Sequence, residues 1–195
     1  MNAQKKAIKY ILFGQASLIL AMLGCFIIKP HHDQNNSSLS YYGNFRTTIV
    51  PYAIGIILEA YSLFKAANLI AGLKNLIYVR RGMQAFSGTL LLVPLTPFSL
   101  GIYFLYAHLL VSVILALVNL FLVFYCVLNV VKNWQSYILA LINLGGIVGC
   151  ILSIAEIHVL HYEAIFELVL LTSLSLVLVR TLTINSVKQS VEGKI

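Results

Sequence analysis

Apolar runs of about twenty residues, parted by short polar links, recur along the whole chain, and a helix needs roughly that length to cross a bilayer. The pattern predicts six helices, over residues 8–28, 49–72, 78–96, 102–131, 136–155 and 164–182. The links carry helix-stop and turn chemistry: Pro30 and an Asn/Ser cluster follow the first run, and Pro94 and Pro97 close the third. The third run is the least regular, since those prolines push its start back toward Leu76. The fourth contains no turn residue over some 30 positions, so it reads as one tilted or protruding helix of about 45 Å. The fold class that follows is an all-α integral membrane protein, a single domain over 1–195 built as a bundle of six transmembrane helices.

The second run is the one around which the others are expected to gather. Glu59 lies near its middle, where insertion scales charge a carboxylate at least ~2.5 kcal/mol. Such a residue belongs in a bundle interior. On a 3.6-residue period Tyr52, Gly55, Glu59, Ser62 and Ala66 share one face, and the small members of that face suit close helix contact. In the fifth run, Gly145, Gly149 and Ser153 make a similar small-residue ladder.

Composition sharpens this picture. The chain is 60% hydrophobic and 10% charged, against about a quarter charged in soluble domains, so no separate soluble domain is expected. Lys5, Lys6 and Lys9 ahead of an apolar run resemble a signal peptide. The run is long, however, and no small-residue cleavage site precedes Lys29, so an uncleaved first helix is expected. The net charge of +7 sits at the ends of the apolar runs rather than on a basic face, which argues against nucleic acid as a partner. Lys and Arg collect at the N-terminus, at Lys74, Arg80 and Arg81, at Lys132, and at Arg180, Lys188 and Lys194. The alternate connections carry only Lys29 and Arg46, so the positive-inside rule puts both termini in the cytoplasm. Lys65 is near enough to that side to snorkel. The expected location is the plasma or inner membrane in a prokaryotic host, or an endomembrane or plasma membrane in a eukaryotic one.

Candidate chemistry separates by depth. All five histidines (His31, His32, His108, His158 and His161) fall in the outer half, with Asp33, Glu156, Glu163 and Glu167. His158, His161 and Glu163 are the candidate metal ligands, although no HExxH-type spacing fixes a geometry, and polar residues gather in outer loops without any metal. Within the spans, His108, Ser112, Asn119 and Cys126 share one stripe of the fourth helix, with Glu59 and Glu167 the carboxylates placed to meet it. Gln15 and Asn143 are further polar residues inside spans. A structural hydrogen-bond network and a functional polar cavity would use the same residues. Cys25, Cys126 and Cys150 lie in apolar runs without CxxC spacing and read as small buried side chains. No nucleophile elbow, phosphate loop or haem-spaced histidine pair is present, so no cofactor is expected.

The Ser40-Tyr41-Tyr42-Gly43 segment of the first outer loop, the proline-bearing turn after the third span and His108 early in the fourth carry a resemblance. In layout the chain resembles the DRAM-like (damage-regulated autophagy modulator) six-helix membrane proteins and their uncharacterised prokaryotic relatives. That resemblance implies membrane organisation or lipid handling and no catalytic residues. Three functions are therefore weighed. The first is a non-enzymatic protein binding lipid, a small ligand or a membrane-protein partner through an outer-half polar cavity of Glu59, His108, Ser112, Asn119 and Glu167. The second is a small proton-coupled transporter using Glu59, His108 and Glu167, and the third an intramembrane metal-dependent hydrolase. Inverted halves would favour transport, and none is evident.

Overall fold

A computed structural model describes residues 3–30, 38–154 and 163–192. Among these the protein is helical, with no strand. Six α-helices follow one another: α1 (Ala3–Ile28), α2 (Ile49–Leu69), α3 (Ile77–Leu92), α4 (Ile102–Tyr125), α5 (Trp134–Ile154) and α6 (Glu163–Glu192). Five contain segments long and apolar enough to cross a membrane: Ala3–Ile28, Ile49–Leu69, Ile102–Val130, Trp134–Leu152 and Ala164–Val187. The third helix is different. Its 16 residues extend about 24 Å, and Arg80 and Arg81 sit in its first turns.

Local chemistry sets the helix ends. Lys29 and Pro30 close α1, and the Lys29 ammonium lies over the rings of Phe45 and Tyr41 in the following loop. Pro51 falls within the first turn of α2, where its missing N–H breaks no helical bond. Pro94 stands in the single 3-10 turn Val93–Leu95 that ends α3. Gly101 precedes α4 at φ +123°, a backbone conformation that a side chain would strain. At its other end α4 passes into a π-turn, Cys126–Val130, with the Val131 N–H bonded to the Cys126 carbonyl at 2.8 Å.

Hydrogen bonds between connections show that the helices run up and down. At one end, the Ser99 N–H donates to Asn44 Oδ1 (3.1 Å) and the Leu39 N–H to Glu167 Oε2 (2.7 Å). These bonds gather the α1–α2 loop, the α3–α4 turn and the start of α6. At the other end, Asn75 donates to Asn185, and Arg180 to Gln135 at 2.6 Å. The α2–α3 link, the α4–α5 link and the last turns of α6 therefore meet there. Short as it is, α3 runs from one end of the bundle to the other. Lys74, Arg80, Arg81, Lys132 and Arg180 all belong to the second end, which is called the basic end below.

The tightest seam joins α1 to α2. A Cβ added at Gly55 would stand 2.5 Å from Ala21 Cβ, and one at Gly14 would stand 2.8 Å from Ser62 Cβ. Both contacts step seven residues along each helix, the repeat of two antiparallel helices in continuous touch. The α5–α6 seam corrects the expected small-residue ladder. Gly146 and Gly149 face Phe166 and Leu170, whereas Gly145 is exposed with nothing near it. A four-residue spacing and a three-residue spacing both fit one helical face, and the bulk of Phe166 selects the second.

Candidate functional site: a polar layer at mid-depth

Close contacts fix how far each helix has travelled through the bundle. Gly14 of α1 faces Glu59 and Ser62 of α2. Ser87 of α3 donates to the Ala60 carbonyl of α2 at 2.5 Å. Gly82 of α3 faces Leu122 of α4. Because α3 and α4 are antiparallel, the step from Gly82 to Ser87 matches the step from Leu122 back to Leu117. Leu117 is thus level with Ala60, and Asn119 lies about 3 Å from that level toward the basic end, as Ser62 does.

The remaining helices meet the same level. Gln15, beside Gly14, donates to Thr172 Oγ1 (3.0 Å) and accepts from Ser175 Oγ (2.9 Å), binding α1 to α6. Asn143 of α5 donates to Ser173 Oγ at 2.9 Å and to the Leu170 carbonyl at 3.0 Å. Every helix thus contributes a polar side chain to one layer: Gln15, Glu59 with Ser62, Ser87, Asn119, Asn143, and Thr172 with Ser173 and Ser175.

Within the layer the groups differ in one respect. Gln15, Ser87, Ser173 and Ser175 are hydrogen-bonded, and Asn143 through its amide nitrogen. Glu59 is 1% exposed, yet its Oε2 has no hydrogen-bond partner among the described residues. Nor has Ser62 Oγ, nor either amide atom of the fully buried Asn119. Glu59 Oε2 and Ser62 Cβ both lie within 3 Å of the point where a Cβ on residue 14 would stand. Glycine at 14 is what gives the carboxyl its room.

Of the His108 stripe, Asn119 lies near the level of Glu59, and His108 does not. The stripe itself faces inward: His108 and Asn119 are buried, as is Cys126, and Ser112 is partly buried. But His108 lies about 12 Å nearer the far end than Glu59, counted through the register above. Its Nδ1 is 3.0 Å from the Thr96 carbonyl, so the ring holds the proline turn onto α4. The Thr96 hydroxyl meanwhile donates to the carbonyl of Val93 or Leu92. Glu167 likewise fastens an end, accepting the Leu39 N–H while standing within electrostatic reach of Tyr52. Beside that latch, burial pushes the Tyr42 phenol up from its ordinary value. His108 and Glu167 are latches of the far end, and Glu59 and Asn119 belong to the layer.

The candidate metal ligands His158 and His161, and the side chain of Glu163, lie outside the described residues. So do His31, His32 and Asp33. Among the described residues, no three His, Cys, Asp or Glu side chains gather as a metal site would require. Cys25, Cys126 and Cys150 form no disulfide among the described residues, and Cys25 donates to the Thr48 carbonyl. Sequence reasoning missed Gly14 and the Thr172–Ser175 segment. Their signal was faint: a Gly-Gln pair and a hydroxyl run, each in mid-span, become informative only when their helices are paired.

Comparison with protein-family models, with curated proteins and with solved structures finds no match. The likeness of layout to the DRAM-like proteins remains a likeness.

Proposed function

We propose that this chain is a non-enzymatic membrane protein of six spans, both termini cytoplasmic, which binds a small ligand, a lipid or a membrane partner through its mid-depth polar layer. The layer replaces the outer-half cavity that the sequence suggested, because His108 and Glu167 are engaged with the end loops. One observation carries the reading: Glu59 Oε2, Ser62 Oγ and both amide atoms of Asn119 are buried at one depth without a hydrogen-bond partner among the described residues. A buried polar group without a partner costs about 1–3 kcal/mol. A chain concerned only with holding its helices together would gain by replacing such groups with apolar ones, so a binding role accounts for their presence. Six spans, rather than five, are supported by the passage of α3 from end to end. The basic end then becomes the cytoplasmic face.

The transport reading would need a path from Glu59 to His108 and Glu167, and the engagement of both with the end loops speaks against it. Nothing in the described residues favours the hydrolase reading. Native mass spectrometry of the protein released from lipid vesicles tests the proposal. The wild type is expected to retain a stoichiometric adduct that Asn119→Leu loses. A wild type without an adduct, or an adduct unchanged by Asn119→Leu, overturns it.

A further inference from the structure

Among the unpartnered atoms of the layer, acceptors predominate. Glu59 Oε2, Ser62 Oγ, Asn119 Oδ1 and Asn143 Oδ1 can all accept, while the Asn119 amide nitrogen can only donate and the Ser62 hydroxyl can do either. Such a set calls for a positively charged or proton-bearing occupant. No cation among the described residues supplies it. On α1, Lys9 and Tyr10 lie a turn or more toward the basic end and are exposed, and Cys25 is far off toward the other end. On α2, Lys65 and Tyr61 point outward, and Tyr52 is two turns away. On α3, Arg80 and Arg81 lie about 10 Å nearer the basic end than Ser87. On α4 and α6, His108 and Glu167 are held at the far end and Arg180 at the basic end.

We infer that the layer is a proton-binding site: the Glu59 carboxyl, buried at mid-depth with no hydrogen-bond partner for Oε2 among the described residues, holds an exchangeable proton. This deepens the function proposed above by naming the first ligand of that layer. An ionised carboxylate at this depth would stand in hydrocarbon surroundings with no donor within hydrogen-bond distance of Oε2 among the described residues, a cost that the neutral acid largely avoids. Gly14 leaves the space that the carboxyl occupies.

A hydrophobic carbodiimide tests this on the unmodified chain in phosphatidylcholine vesicles. A protonated carboxyl transfers its proton to a carbodiimide nitrogen while its oxygen bonds the central carbon, and the O-acylisourea rearranges to a stable N-acylurea of the same mass. Peptide mapping is expected to find the adduct on Glu59 near neutral pH. Its yield should fall about tenfold per pH unit above the midpoint. In parallel, the infrared carbonyl band of a neutral carboxylic acid should be present in the wild type and missing in Glu59→Gln. Absence of both the adduct and the band near neutral pH overturns the inference. The native mass spectra from the same vesicles separate the two ideas. A protonated Glu59 with no larger adduct sinks the binding function alone, and a retained adduct with an ionised Glu59 sinks the proton site alone.

Discussion

Replacing Gly14 by alanine isolates the contact on which the layer depends. The new methyl would stand 2.5 Å from Glu59 Oε2, 2.8 Å from Ser62 Cβ and 3.2 Å from Glu59 Cα. The carboxyl tip can rotate away. Ser62 Cβ and the Glu59 backbone cannot, so α1 and α2 must part or shift. Overpacking of this kind costs about 1–3 kcal/mol. Alanine also gains roughly 0.5–1 kcal/mol over glycine inside a helix, which would mask part of the loss. Gly24→Ala supplies the correction, since it lies on the same helix with nothing within 4 Å of its Cβ position. The difference between the two variants is therefore expected to be about 1–3 kcal/mol against Gly14→Ala. Ser62→Gly, which removes the struck Cβ, should recover part of it in a double-mutant cycle. Reversible unfolding in bicelles measures all of these. Equal stability of Gly14→Ala and Gly24→Ala would refute the close seam and the confinement of Glu59 within it.

Asn119→Leu removes two buried atoms without a hydrogen-bond partner among the described residues, so in protein stripped of bound ligand it should stabilise the fold by about 1–3 kcal/mol in the same unfolding assay; a destabilised variant there would mean that the protein itself satisfies the amide. Gln15→Leu breaks two bonds to α6 and, at about 0.6 kcal/mol per contact, should cost about 1 kcal/mol. Combining it with Thr172→Val and Ser175→Ala should show non-additivity, and simple additivity would contradict the pairing. Gly149→Leu should disrupt packing on Phe166 while Gly145→Leu, facing outward, is tolerated; melting curves of the pair decide which glycine lies in the seam. A membrane-impermeant maleimide on intact cells should reach Ser99→Cys but not Lys74→Cys, because α3 separates them. Labelling of both from one side would remove the third span.

The helical, membrane-spanning character was legible because a bilayer demands length, and long apolar runs announce it. α3 was legible only as an irregular run, since its arginines and terminal prolines shorten the apolar part to less than a span. The inward turn of Glu59 could be read from the cost of a carboxylate in lipid. The helix it meets could not be. That choice between α1 and α4 depends on Gly14 meeting Ser62, a match of two surfaces that one helix's periodicity does not contain. His108 illustrates the same limit: its inward face was apparent, but its engagement with Thr96 follows from how the Pro94–Pro97 turn folds back on α4.

Spin labels placed singly along α2 test most directly whether Glu59 lies inside the bundle. Oxygen dissolved in the bilayer should relax labels strongly at positions 54, 57, 61 and 64, whose native side chains Ile54, Ile57, Tyr61 and Phe64 are 45–51% exposed. It should relax them weakly at 52, 55, 59 and 62, tracing a 3.6-residue wave whose minimum includes Glu59. A label at position 59 as open to oxygen as those at 57 and 61 would put the carboxyl against lipid and contradict the account.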